Sequence, residues 1–232
     1  MDKSIPIIFI ITAIFCSNPA YSQDIWVGKD GNIRNINARA MLINDNGLYL
    51  ATKDELYAAA DANDEWKSVF YLPSGTNEIT CLAGTSRNIF IGTNKGLFRS
   101  QDSGATWKNV FRTIIPDKNS ILAIQASGPG ARNIIIGTRQ GVFSSDDSGN
   151  GWTDISEVLK NRPIKAVARD KNAVYVGGES GLYVRRNGSS GWERLYVLAT
   201  PDKNGEEGAP ISDDAQIERE EYGSINCVTI KG

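Results

Sequence analysis

Four tryptophans, Trp66, Trp107, Trp152 and Trp192, recur 41, 45 and 40 residues apart. A period of this size constrains the fold more than any composition figure, because each repeat must bury its apolar face against its neighbours. Three short runs precede each tryptophan in a constant order: the first at 38–43, 78–82, 120–124 and 164–168, the second at 47–52, 88–93, 133–138 and 173–178, the third at 55–57, 96–98, 141–143 and 181–183. A fourth opens at the tryptophan itself, as in 107–111. The runs are rich in β-branched and aromatic residues and are separated by Gly, Asn, Asp and Ser, which is strand-and-turn chemistry. No long segment carries a helical apolar period. Four short strands per repeat is the arithmetic of a propeller blade. A two-layer sandwich would not need the same order and the same tryptophan four times. The chain therefore reads as all-β, a β-propeller of four-stranded antiparallel blades at 38–72, 77–112, 119–158 and 163–200.

The turn before two of the tryptophans is sharply patterned. Ser100, Asp102, Gly104 and Trp107 match Ser145, Asp147, Gly149 and Trp152 position by position. The pattern S-x-D-x-G-x-[TG]-W resembles the BNR/Asp-box propeller families. Two further copies are degenerate: Asp61 is kept before Trp66, and Asn187 takes the Asp position before Trp192. A short carboxylate can accept hydrogen bonds from the N–H groups of its own turn. Glycine can take a conformation closed to residues with a Cβ, and the tryptophan sets a large ring beside the turn. A catalytic or calcium-binding Asp is the tempting reading, but the resemblance implies a structural turn remote from any substrate site. The reading is accordingly scaffold: no catalytic, cofactor-binding or metal-ligating residue is assigned, and no cofactor is expected.

The two ends of the chain read differently. Lys3, an apolar run at 5–15 and a small-residue site at 20–22 are the marks of an export signal over 1–22. The run is short for a membrane span, so a secreted or periplasmic protein is expected rather than an anchored one. Residues 23–37 read as a lead-in strand. Segment 201–223 holds eight acidic residues against two basic ones within 201–221. Its acids lack the spacing of a calcium loop, so it reads as a solvated insertion. Residues 224–232 parallel 78–82 and look like the first strand of a further blade. Either the chain is part of a longer protein, or this strand closes a four-bladed ring beside 25–28. Cys81 and Cys227 sit at matching repeat positions, too far apart to bridge, and read as free thiols.

Composition narrows the function. The chain contains no histidine, which removes Ser–His and Cys–His nucleophile pairs and His-ligated zinc. Its net charge of −2 gives no field that favours nucleic acid. Glycoside hydrolysis by carboxylates stays open. The block running from Ile91 to Gly104 resembles exported photosystem II assembly-factor propellers, which implies a non-enzymatic scaffold binding a protein partner. One alternative is the N-terminal part of a sialidase-like glycosidase, whose opening Arg motif is absent and whose other catalytic residues would lie beyond Gly232. The other is a sensor or receptor ectodomain. The expected ligand is a protein or a glycan on a propeller face.

Overall fold

The computed structural model describes residues 37–61, 64–73, 77–179, 181–196, 215–219 and 225–230. The export signal at 1–22, nearly all of the lead-in at 23–37 and the acidic stretch at 201–214 lie outside the described residues.

Four sheets follow one another along the chain. The first holds β1 (Ala40–Asn44), β2 (Gly47–Ala51), β3 (Glu55–Ala59) and β4 (Lys67–Tyr71). The second holds β5 (Ile79–Thr85), β6 (Asn88–Thr93), β7 (Gly96–Ser100) and β8 (Lys108–Phe111). The third holds β9 (Ile121–Ser127), β10 (Asn133–Thr138), β11 (Gly141–Ser145) and β12 (Thr153–Asp154), and the fourth β13 (Ile164–Arg169), β14 (Ala173–Gly178), β15 (Gly181–Arg186) and β16 (Glu193–Tyr196). Each is an antiparallel meander in which every strand pairs with the next. The first strands lie side by side, β1 against β5, β5 against β9 and β9 against β13. They form the inner edge of the stack.

The alternation of each strand places apolar residues on the faces where neighbouring blades meet. Tyr49, Leu56, Ile79, Ile89 and Ile91 are buried between the first two blades. Phe90, Leu97, Phe111, Ile121, Ile134 and Ile136 fill the second interface, and Ile135, Val142, Leu159, Ile164 and Val176 the third. The core is thus divided into slabs between blades. A glycine on the second strand sets how closely inner strands approach: a Cβ on Gly137 would stand 2.6 Å from the Ile164 carbonyl oxygen.

The fourth strands differ from the sequence expectation. They begin one residue after each tryptophan, at Lys67, Lys108, Thr153 and Glu193. In the last three repeats the indole is committed to the neighbouring blade, as described below, which keeps the tryptophan in the turn. The third blade's outer strand has only two residues. There Ser156, where Phe70 and Phe111 stand in earlier blades, accepts the Val142 N–H at 2.9 Å and donates to the Val142 carbonyl at 3.2 Å. A 3₁₀ turn at Glu157–Leu159 then puts Leu159 into the core.

The acidic insertion expected at 201–223 is not loop throughout. Residues Ala215–Arg219 form β17, paired antiparallel with β18 (Ile225–Ile230). Pairing supplies partners for backbone groups that a lone β18 would leave open. β18 lies against β13, as β13 lies against β9, so the strand expected at 224–232 takes the inner place next in the series.

Candidate functional site

The patterned turns join the third and fourth strands of their blades. Ser100, 1% exposed, donates from Oγ to Asp102 Oδ1 at 2.8 Å and accepts the Gly104 N–H at 2.8 Å. Asp102 also accepts the Thr106 N–H at 2.8 Å and the Thr106 hydroxyl at 2.6 Å. In the third blade Ser145 donates to Asp147 and accepts from Gly149, and Asp147 accepts the N–H groups of Asn150 and Gly151. The bonds from Thr106 and Ser100 stabilise the charged form of Asp102 and hold its carboxyl at about 2. The Gly151 N–H and the Ser145 hydroxyl lower that of Asp147. Both carboxylates thus take the donors of their own turn, Asp102 on both oxygens and Asp147 on Oδ1. Ser103 and Ser148 take φ of 60°, followed by Gly104 at 97° and Gly149 at 87°.

The same turns latch each blade to the one before it. The Trp107 indole N–H donates to the Val69 carbonyl at 2.8 Å, that of Trp152 to Val110 at 2.8 Å, and that of Trp192 to Ile155 at 2.7 Å. The Trp107 ring packs on Phe70 and the Trp152 ring on Phe111, with centroids 5.0 and 5.1 Å apart. Arg99, nearly buried on β7, crosses to the third-blade turn, donating to the Ser148 carbonyl at 2.5 Å and to Asn150 Oδ1 at 3.3 Å. Tyr49 donates to the Ser103 carbonyl at 3.3 Å. The degenerate fourth turn is tied to the β13–β14 turn of its own blade: Asn187 donates from its backbone N–H to the Asn172 carbonyl and from its side chain to the Lys171 carbonyl. In the first blade, Asp61 accepts the Asp64 N–H at its carbonyl, and both Asp61 and Trp66 are engaged by neighbours. Each singled-out residue therefore serves its own turn or the seam with the preceding blade, and the structure does not gather these residues into one site.

The opposite end is built from the β6–β7 and β10–β11 turns and the connections between blades. Thr93 and Thr138, fully buried, donate to the carbonyls of Gly96 and Gly141 and accept the N–H groups of Lys95 and Gln140. Sequence reasoning missed this role, although Thr at the same repeat position was visible. The β8–β9 connection is tied by Asn119, which accepts the Thr113 N–H at 2.6 Å and donates to the Thr113 carbonyl at 2.9 Å. Thr113 Oγ1 in turn accepts the Ile115 N–H and donates to its carbonyl. This braced loop holds Ile114 99% exposed. Beside it lies a groove of about 460 Å³ lined by Asn94, Lys95, Arg112, Thr113, Ile114, Pro116 and Asn119. Lys95 and Arg112 form no ion pair with any described residue. Among the described residues no group of three or more His, Cys, Asp or Glu could hold a metal ion, and no helix is long and apolar enough to cross a membrane.

Solved structures with this arrangement of blades are numerous. One is the extracellular domain of a putative one-component system, BT4673, from B. thetaiotaomicron: 20% identical, TM-score 0.60, covering 82% of this chain and 27% of that one. The fold is a β-propeller. A GH74 enzyme of Niastella koreensis is 21% identical with a TM-score of 0.54, covering 72% of this chain and 30% of that one. YCF48 bound to D1 peptide is 14% identical with a TM-score of 0.53, covering 72% and 58%. The propeller described here thus spans 30% and 58% of the length of the last two. At these identities the likeness concerns the fold. No protein-family profile and no curated protein sequence matches the chain.

Proposed function

We propose that the chain is an exported, non-catalytic Asp-box propeller that holds a protein partner on the end of its blades opposite the patterned turns. The observation that carries this reading is the division between the two ends. At the turn end the motif's polar groups bind within their own turns. At the other, a loop fixed by four hydrogen bonds presents a fully exposed isoleucine next to unpaired cations. A rigid loop that carries an uncovered apolar side chain beside a groove suits an interaction surface. One of the similar propellers was solved with a peptide bound, which supports the reading by analogy of fold.

The test is crosslinking in cells that make the protein with an affinity tag, followed by reconstitution of the captured complex from purified components. A defined protein bound at one copy per chain is the expected result. Failure of every captured candidate to rebind in purified form refutes the proposal. A second reading, a sensor ectodomain, draws on the extracellular BT4673 domain and its coverage of 82% of the chain. It predicts that the native polypeptide continues into a membrane-crossing segment, which sequencing its transcript would reveal. The GH74 neighbour keeps a glycosidase in view; turnover of a glycoside panel by the purified protein would favour it over both.

A further inference from the structure

We infer that the groove between the β6–β7 turn and the β8–β9 connection is the docking site, and that it takes an extended, acidic peptide segment of the partner carrying an aliphatic side chain. The inference rests on the scaffold reading and adds the place and the chemistry. Its size comes first: about 460 Å³ falls within the range of ligand-binding clefts, roughly 300–1,000 Å³.

The charge comes second. Several cations of this end are matched, Arg39 and Lys53 by Glu78, Lys118 by Asp154 and Lys165 by Glu179, while Arg139, Lys160 and Arg162 form no ion pair with a described residue. Lys95 and Arg112 are exposed, line the same groove and lack such partners. The neighbouring acid, Asp117, accepts the Gln140 side-chain amide at 3.2 Å. Two unmatched cations in one cleft favour a carboxylate-bearing ligand.

The third observation selects a peptide over an acidic glycan. Among its polar lining the groove carries an aliphatic stretch, Ile114 and Pro116, with Ile115 40% exposed beside them and Val158 62% exposed on the next connection. No aromatic ring lines the groove. Aliphatic side chains bury against an aliphatic partner surface. Asn119 keeps the loop in one conformation, so little ordering entropy opposes binding.

The experiment pans a displayed library of random dodecapeptides on the full chain, then measures the enriched peptides, fluorescein-labelled, by anisotropy. Enrichment of sequences with several Asp or Glu around a Leu, Ile or Val is expected. Binding should weaken at least about tenfold in Lys95→Glu/Arg112→Glu and about fivefold in Ile114→Ser, with unchanged circular dichroism and melting. It should also weaken as salt is raised from 50 to 500 mM. Enrichment without acidic bias, absence of any binder, or affinities indifferent to these substitutions would overturn the assignment. The partner captured in cells discriminates further: if it binds Lys95→Glu/Arg112→Glu as well as wild type, the scaffold reading stands and the groove is wrong.

Discussion

Replacing Trp152 with Phe tests whether the recurrent tryptophan is an inter-blade latch or only a turn residue. The substitution keeps an aromatic ring beside Phe111 but removes the indole N–H that reaches the Val110 carbonyl at 2.8 Å and, within its own turn, the Gly149 carbonyl at 3.2 Å, so Trp192, bonded to Ile155 across the seam, is the necessary companion. A hydrogen bond of this kind contributes about 0.5–1.5 kcal/mol net. The ring loses roughly 50 Å² of apolar area, judged from the spread among aromatic side chains. With Trp152 half-buried, half of that at about 25 cal/mol per Å² adds roughly 0.6 kcal/mol. The expected loss is about 1–2 kcal/mol. Urea unfolding followed by far-UV circular dichroism measures it without relying on tryptophan emission. Trp192→Phe, which removes the equivalent bond to Ile155 at 2.7 Å, should cost a similar amount. A change below about 0.3 kcal/mol in both variants, smaller than the hydrogen-bond contribution alone, would refute the latch. A large loss in one and none in the other would show that the repeats are not energetically equivalent.

Three further expectations follow from the same geometry. Gly104→Ala places a Cβ at φ of 97°, so it should destabilise the protein by about 1–3 kcal/mol, measured by the same urea titration; an unchanged midpoint would contradict the backbone assignment. Thr93→Val removes a buried hydroxyl that both donates to Gly96 and accepts from Lys95, and about 1–3 kcal/mol should be lost, whereas Thr80→Val on the inner strand serves as a control for the loss of a half-buried hydroxyl. Because the Asp102 carboxyl is held at about 2 rather than 3.8, its contribution to stability is complete above the unfolded value and is lost as pH falls through that window towards 2; thermal melts between pH 5 and 2 should show an acid slope that Asp102→Asn lessens, and an identical slope in the two proteins would count against it.

The repeat was legible because a blade is a local object. Strand order, the glycines between second and third strands, and the carboxylate that closes its own turn all depend on residues a few positions apart, so periodicity and motif spacing report them directly. The tryptophan was legible as a position but not as a role. Its partners across the seam, Val69, Val110 and Ile155, lie 37 to 42 residues earlier, and nothing within one turn specifies them. The outer strand of the third blade shrank for a similar reason: replacing a phenylalanine by Ser156 changes who pairs with Val142, which only packing reveals. In the acidic stretch, charge counts pointed to solvated loop, yet Ala215–Arg219 pairs because β18 offers an edge.

Sequence alone determined the blade, its repetition and the turn that marks it, since these follow from local propensity and from the need of each repeat to stack on the next. The tertiary structure decided which turns and connections share an end of the blades. Antiparallel pairing sends the patterned turns and the β8–β9 connection to opposite ends, and it brings Lys95 to Arg112 and Ile114 across 17 to 19 residues of chain. The groove is therefore a product of how strands return, and its residues carry no motif because they share a place rather than a spacing.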